Sequence, residues 1–293
     1  MSEYHTPVLL QESVSALAVK PGGVYVDATF GGGGHSKAIL ERLSASGRLI
    51  AIDQDSDALA NAPQDARLIP VRSNFRFIHN WIRYHGFEEV DGILADLGVS
   101  SHQFDTEERG FSFRFSSELD MRMSDAATVT AKDVVNNYTE EELERILREY
   151  GEVTASRFAA KLICEARRRT PIQTTTELNA ALEKVTPQLA PHKFLAKVYQ
   201  ALRIEVNDEM KALERFIPMA VKSLASDGIL AVITYHSLED RIVKNAIRDA
   251  IGQGLMEKVT AKPIVPSESE IAGNTRARSA KLRVAKRSAM DFR

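Results

Sequence analysis

The sequence predicts an α/β protein: a doubly wound, largely parallel sheet covered on both faces, with an all-helical block inserted into it. Three observations predict this. Short β-rich runs alternate with helix-length amphipathic stretches over the first hundred residues. The alternation stops between about residues 105 and 197, where only helical periodicity is present, and a strand pattern returns at Gly228–Tyr235. A run of four glycines follows the first β-rich run, the place where doubly wound sheets bind ligands.

The elements follow in order. Val24–Ala28 reads as the first strand and ends at the glycines Gly31–Gly34. Ser36–Leu43 reads as a helix with Ala38, Ile39 and Leu43 apolar, Arg48–Ile52 as the second strand, Asp55–Asn61 as a helix and Arg67–Val71 as the third strand. Phe75–Tyr84 has Phe75, Ile78 and Ile82 on one helical face, and Val90–Leu97 is the fourth strand. In the middle of the chain the helical stretches are Thr139–Tyr150, Ser156–Arg168 and Thr176–Val185. Thr139 and Glu142 have the spacing of a capping box, and Gly151 stops that helix. A long helix, Asn207–Leu224, precedes the fifth strand. The division this gives is residues 1–104 as the first part of the sheet domain, 105–200 as the helical insert, and 201–293 as the second part with a basic C-terminal segment.

Composition narrows the class. Hydrophobic residues at 44% and charged residues at 27% suffice for a buried core. The single cysteine, Cys164, excludes an intrachain disulfide and fits a reducing compartment; beside Leu162 and Ile163 it reads as core. The first residues lack the basic start and apolar stretch of a signal peptide, and apolar runs such as Gly228–Thr234 are too short to cross a bilayer. No His and Cys spacing suggests a metal. A cytoplasmic protein with neither membrane nor metal partner is expected. Net charge is −2, but residues 261–293 carry eight Lys/Arg against three acids. That segment is either an RNA footprint or a solvated basic tail.

The glycine loop, Asp27-Ala-Thr-Phe-Gly-Gly-Gly-Gly-His-Ser36, lets the backbone approach a ligand where a Cβ would clash. The plain alternative is a tight turn. Gly31 and Gly33 fit a dinucleotide fingerprint, but Ser36 stands at its third glycine, and no Gly-Lys-Ser/Thr phosphate loop is present. A carboxylate beside the loop, Asp27, suits an aminoacyl ammonium and repels a pyrophosphate. S-adenosylmethionine carries that ammonium and no phosphate. Asp53 closes the second strand, where a carboxylate accepts from both ribose hydroxyls; its plain role is a helix N-cap. Phe75 covers an adenine or is simply core. Asp96 ends the fourth strand, where a carboxylate accepting amino hydrogens makes a delocalised amine more nucleophilic; its plain role is capping.

At this point a resemblance extends over nearly the whole chain. The strings His5-Thr-Pro-Val-Leu-Leu10, Asp27 to Ser36, Asp96-Leu-Gly-Val-Ser-Ser101, Glu108-Arg-Gly-Phe-Ser-Phe113 and Leu119-Asp-Met-Arg-Met123 belong to it. So do Tyr150-Gly-Glu152, Tyr199-Gln-Ala-Leu-Arg-Ile204, His236-Ser-Leu-Glu-Asp-Arg241 and Arg276-Ala-Arg-Ser-Ala-Lys-Leu-Arg283. Together they resemble the 16S rRNA cytosine-N4 methyltransferase family, RsmH (MraW). The resemblance implies a class I S-adenosylmethionine-dependent methyltransferase fold with an inserted helical domain. It implies methyl transfer to N4 of a decoding-centre cytosine in 16S rRNA, within the small ribosomal subunit. By motif, the donor contacts would be Gly33, Gly34, His35, Asp53, Phe75, Asp96 and Gln103. Two departures stand out: the family often has Phe where this chain has Tyr235, and Arg where it has Lys197.

His236 follows the fifth strand and joins Asp96 as a catalytic candidate, with a structural role as its alternative; Ser237 and Asp240 have N-cap spacing. Phe111, Phe113 and Phe115 alternate, with Arg109 and Arg114 interleaved. They either stack on an extruded base or pack one apolar face. Arg109, Phe111, Arg203, Arg276 and Arg278 are the candidates for RNA contact, and the oligomeric state is left open, a homodimer included. Two rivals remain. An NAD-dependent oxidoreductase is opposed by Asp27 and Ser36. A non-catalytic RNA-binding or ribosome-assembly factor is opposed by Asp96 and the intact glycine loop.

Overall fold

The computed structural model describes residues 7–289; His5 and Thr6 of the first motif, with Asp291 and Arg293 of the basic segment, lie outside the described residues. The chain divides into two compact units, one formed by residues up to Gly98 and from Met210 onward, the other by Val99–Glu209. The second unit is wider than the 105–200 expected for the insert.

The first unit opens with α1 (Leu10–Ala16), β1 (Val24–Asp27), α2 (Gly34–Leu40), β2 (Arg48–Asp53), α3 (Ser56–Ala60), β3 (Leu68–Arg72), α4 (Ile78–Tyr84) and β4 (Val90–Asp96). The second unit holds α5 (Ser101–Asp105), α6 (Ala131–Asn137), α7 (Glu140–Glu149), α8 (Ser156–Arg167), α9 (Thr175–Ala181) and α10 (Pro191–Asn207). The chain then returns through α11 (Glu209–Ser223), β5 (Leu224–Thr234), α12 (Ser237–Gly252), β6 (Met256–Lys258), α13 (Glu268–Gly273) and β7 (Lys281–Arg287).

The seven strands lie in the order β3-β2-β1-β4-β5-β7-β6. The pairings from β3 through β5 are parallel, and β7 runs antiparallel to both its neighbours. Strand order reverses direction between β1 and β4, so the crevice beyond their carboxyl ends is the topological switch point. Alternation along the strands sends Val26, Ile50, Ile93 and Val232 to a core shared with α4, α11 and α12. It sends Tyr25, Leu49, Leu94 and Ile233 to the opposite face, against α1 and α2. Burial on both faces is why these strands read as continuous apolar runs.

The second unit is built on its own core, with Val134, Leu143, Ile146, Ile163 and Leu202 all fully buried. Three of its helices start at capping boxes: Thr130 with Asp133, Thr139 with Glu142, and Thr174 with Glu177. The Thr139–Glu142 box is the one expected from the sequence; Thr174–Glu177 has the same spacing.

Several boundaries differ from expectation. The long helix expected at Asn207–Leu224 is the end of α10 and all of α11, broken at Asp208 in the left-handed region (φ 52°). β5 starts at Leu224, not Gly228. The helix expected at Phe75 begins with a 3-10 turn, Phe75–Phe77, capped by Asn74, and turns α-helical at Ile78. The basic C-terminal segment is no solvated tail. Leu282 and Val284 alternate inward, making Lys281–Arg287 a sheet strand. Three of its four cations pair with acids: Lys281 and Arg283 with Asp240, and Lys286 with Asp227 and Glu257.

Candidate active site at the switch point

β1 runs out at Asp27, and the Ala28 N–H still donates to Leu94 O (2.8 Å). Beyond it the loop folds back on the sheet. Phe30 N–H donates to Ile52 O at the end of β2, and Gly31 N–H donates to Asp53 Oδ2 (2.8 Å). Gly31 and Gly33 take positive φ (50° and 75°), which only glycine adopts without strain. A Cβ on Gly34 would lie 2.1 Å from Pro7 Cγ, so this glycine is required by the chain's own packing.

Asp27 does not present itself to a ligand as expected. It is 1% exposed, and its carboxylate accepts from the Ser36 hydroxyl (2.6 Å) and Thr29 N–H (3.2 Å). Burial holds its pKa above the ordinary value, against the opposing pull of His35 and Ser36. Asp27 therefore ties the loop to α2. Thr29 ties it to β4: its hydroxyl accepts the Asp96 N–H at 2.6 Å.

His35 is buried on α2, with Nε2 3.2 Å from Val8 O. A carbonyl only accepts, so Nε2 carries the proton. Nδ1 then faces Asp96 Oδ2 at 3.8 Å. Burial lowers the His35 pKa, which keeps the ring neutral.

Asp53 is not a helix N-cap; that role belongs to Asp55, which accepts from Asp57 N–H. The Asp53 carboxylate accepts from Gly31 N–H and Asp55 N–H (2.9 Å), and burial raises its pKa. Phe75 packs edge-on against Phe216, centroids 5.1 Å apart, at the margin of the core.

Asp96 ends β4 with its side chain 22% exposed. Its Oδ1 accepts the Tyr235 hydroxyl at 2.7 Å. Burial pushes its pKa up to about 7; the Tyr235 hydrogen bond opposes that rise and the charge of Glu239 adds to it. Burial also raises the Tyr235 hydroxyl well above its ordinary value, so it stays a donor.

His236 is the N-cap of α12. Its Nδ1 lies 3.4 Å from Glu239 N–H, and its Nε2 lies 3.1 Å from Glu239 Oε1 without good alignment. The capping box is His236 with Glu239, not Ser237 with Asp240, and it occupies the imidazole proposed for catalysis. Glu239 is 2% exposed and also accepts Tyr235 N–H at 2.8 Å.

The remaining candidates lie elsewhere in the chain. Gln103 is buried on α5, its Oε1 accepting Ser100 N–H (3.1 Å) at the start of its own helix. Arg109 donates to Arg122 O (3.0 Å) and lies over the Phe111 ring. Phe111 is 5% exposed in the helical unit's core, so it offers no stacking face. Arg203 makes a two-pronged pair with Glu209 (2.8 and 2.9 Å), which occupies its guanidinium. Arg276 and Arg278 lie in a 3-10 turn after α13, and Arg278 is exposed. Sequence inspection missed Thr29, Glu239 and the contact made by Tyr235. Thr29 and Tyr235 needed the knowledge that β1 and β5 flank β4, whereas Glu239 is a local cap partner three residues after His236.

Asp53 and Asp96 thus end their strands at the crevice as part-exposed carboxylates, with the acids Asp27 and Glu239 buried close to Asp96. That donor set fits a cationic ligand with hydroxyls and an ammonium, and opposes a pyrophosphate. The strand order with antiparallel β7 inserted between β5 and the edge strand β6, together with this acidic switch point, defines a class I S-adenosylmethionine-dependent methyltransferase. The chain belongs to the MraW methylase family, whose profile matches residues 2–288. It is similar to proteins named ribosomal RNA small subunit methyltransferase H. The one from Flavobacterium johnsoniae is 52% identical, over 97% of this chain and 98% of that protein. Those from Bacteroides fragilis (52%, 97% of each chain) and Parabacteroides distasonis (49%, 97% of each chain) are comparable.

Proposed function

We propose that this chain transfers a methyl group from S-adenosylmethionine to the exocyclic N4 of a decoding-centre cytosine in 16S rRNA, in the cytoplasm and on the small ribosomal subunit. The observation that carries the reading is Asp96: a part-exposed carboxylate at the switch point, anchored through its N–H by Thr29 and through Oδ1 by Tyr235. Membership of a methylase family and the names of its relatives support the substrate class.

The donor, when bound, supplies an electrophilic methyl on a sulfonium. The Gly33–Gly34–His35 backbone would border its amino-acid part, Asp53 would accept from its ribose hydroxyls, and Phe75 would flank its adenine. Asp96 accepts a hydrogen bond from the cytosine N4 amine, raising electron density on a nitrogen whose lone pair is delocalised into the ring. The amine nitrogen bonds to the methyl carbon as the carbon–sulfur bond breaks, and one amino proton leaves toward Asp96. Positioning and electrostatics suffice for this displacement, with no covalent enzyme intermediate. Arg109, Arg276 and Arg278 are proposed for RNA phosphates.

The test supplies labelled methyl donor and small subunits from cells lacking the enzyme, with the native chain and with Asp96→Ala. Label in N4-methylcytosine with the native chain, and none with the variant despite retained RNA binding, is the expected result. Label only in protein, or unchanged turnover by the variant, overturns the reading.

A further inference from the structure

We propose that Tyr235 is the positioning residue of this site: its hydroxyl fixes the rotation of the Asp96 carboxylate, leaves Oδ2 as the edge that meets the acceptor amine, and favours the ionised form. This rests on Asp96 being the acceptor for the amine. The two residues are 139 apart in the chain, and the phenol oxygen lies 2.7 Å from Oδ1. The tyrosine is itself held. Its N–H donates to Glu239 Oε2 (2.8 Å), and its ring packs over Gly98, 3.7 Å from where a Cβ would stand. The preceding strand is pinned to β4 by Leu97 N–H donating to Ile233 O (3.0 Å). A carboxylate fixed at its backbone and at one oxygen has a single free edge.

The chemistry follows from what surrounds Asp96. Glu239 at the start of α12 and Asp27 at the end of β1 are acids, and both oppose a further negative charge. His35 on α2 is neutral and faces Oδ2 through its unprotonated Nδ1. Glu270 on α13 opposes ionisation of the Tyr235 phenol and so helps keep it a donor. Against the two acids, the phenol is the donor aimed at the ionised carboxylate, and a hydrogen bond to a charged form stabilises that form. Burial supports the assignment by keeping the phenol protonated. A Phe at this position would lack this donor. The expected consequence is an acid limb set at lower pH than the same site would have with Phe.

Tyr235→Phe in the full chain tests this, with methyl transfer to small subunits measured from pH 5.5 to 9 at saturating donor. Losing one hydrogen bond to a charged group is expected to raise the acid-limb midpoint by about one pH unit and to lower kcat near pH 6.5 about fivefold. Near pH 9 the two enzymes should agree within about twofold, with KM for both substrates similarly unchanged. Replacing Tyr235 with 3-fluorotyrosine, a stronger donor, should move the midpoint the other way, and this arm decides alone if the Phe variant fails to fold. Superimposable profiles, or a loss equal at every pH, overturn the proposal. Asp96→Asn separates the two levels: if it retains full turnover, the acceptor reading fails. If it is inactive while the Tyr235→Phe profile is unshifted, only the role of Tyr235 fails.

Discussion

The helical unit and the switch point of the sheet unit treat acidic residues in opposite ways. In the helical unit acids are matched by cations close in sequence. Asp120 holds Arg122 through two hydrogen bonds (2.6 and 2.8 Å), and Glu209 holds Arg203 six residues earlier. Burial alone would raise the Asp120 pKa, but the Arg122 hydrogen bonds and charge outweigh it and bring it below the ordinary value. In the sheet unit Asp27, Asp53 and Asp96 converge from the ends of three strands, and each has its pKa raised by burial. Acids paired locally stabilise a fold. Acids gathered in a crevice and answered mainly by hydroxyls, backbone N–H groups and a neutral imidazole are held against their own solvation, and they suit a cationic ligand.

The contrast is broken most directly at Asp96. Asp96→Asn keeps the shape and removes the charge, and is expected to lower kcat for methyl transfer about 10²- to 10³-fold, read by label incorporated into RNA. A loss below about threefold would place Asp96 with the structural acids.

The same variant makes an opposite prediction for stability. A largely buried acid with its pKa pushed up to about 7 keeps its proton in the folded state after the unfolded chain has released it near 3.8. Folded protein thus binds the extra proton between those values, and Asp96 makes stability fall as pH rises through that window. Asp96→Asn should therefore be more stable than the native chain at pH 8.5, by about 2–4 kcal/mol in urea denaturation, with the gain vanishing near pH 3.5. A variant less stable at pH 8.5 would erase the distinction between the units.

The helical unit should respond with the reverse sign. Arg203→Ala strands Glu209, whose side chain is only 11% exposed. It should cost about 2–3 kcal/mol at neutral pH by the same assay. The smallest effect is expected at the exposed Arg278. Arg278→Ala should change stability by under about 0.5 kcal/mol while weakening RNA binding about two- to threefold, with a shallower salt dependence. An unchanged salt slope would remove Arg278 from the RNA surface.

Much of the fold was legible because its determinants are local. The apolar runs of β1 to β4, the Thr139–Glu142 box and the four glycines each act within a few residues. β7 escaped notice because its inward residues, Leu282 and Val284, alternate with Lys281, Arg283 and Lys286, and basic side chains mask a short strand. Phe111 shows the converse limit: alternating aromatics look alike whether they face a base or a core, and only packing decides.

By itself the sequence determined the doubly wound sheet, the glycine loop after β1 and the carboxylates that end β2 and β4, since strand periodicity and turn chemistry are properties of short segments. The tertiary structure alone decided what those carboxylates meet. It turned Asp27 inward onto Ser36, made His236 a cap, and brought the Tyr235 hydroxyl to Asp96 across 139 residues of chain. The physical reason is that a side chain's partner and its desolvation follow from which strands lie side by side, and that order is fixed by the packing of the whole sheet.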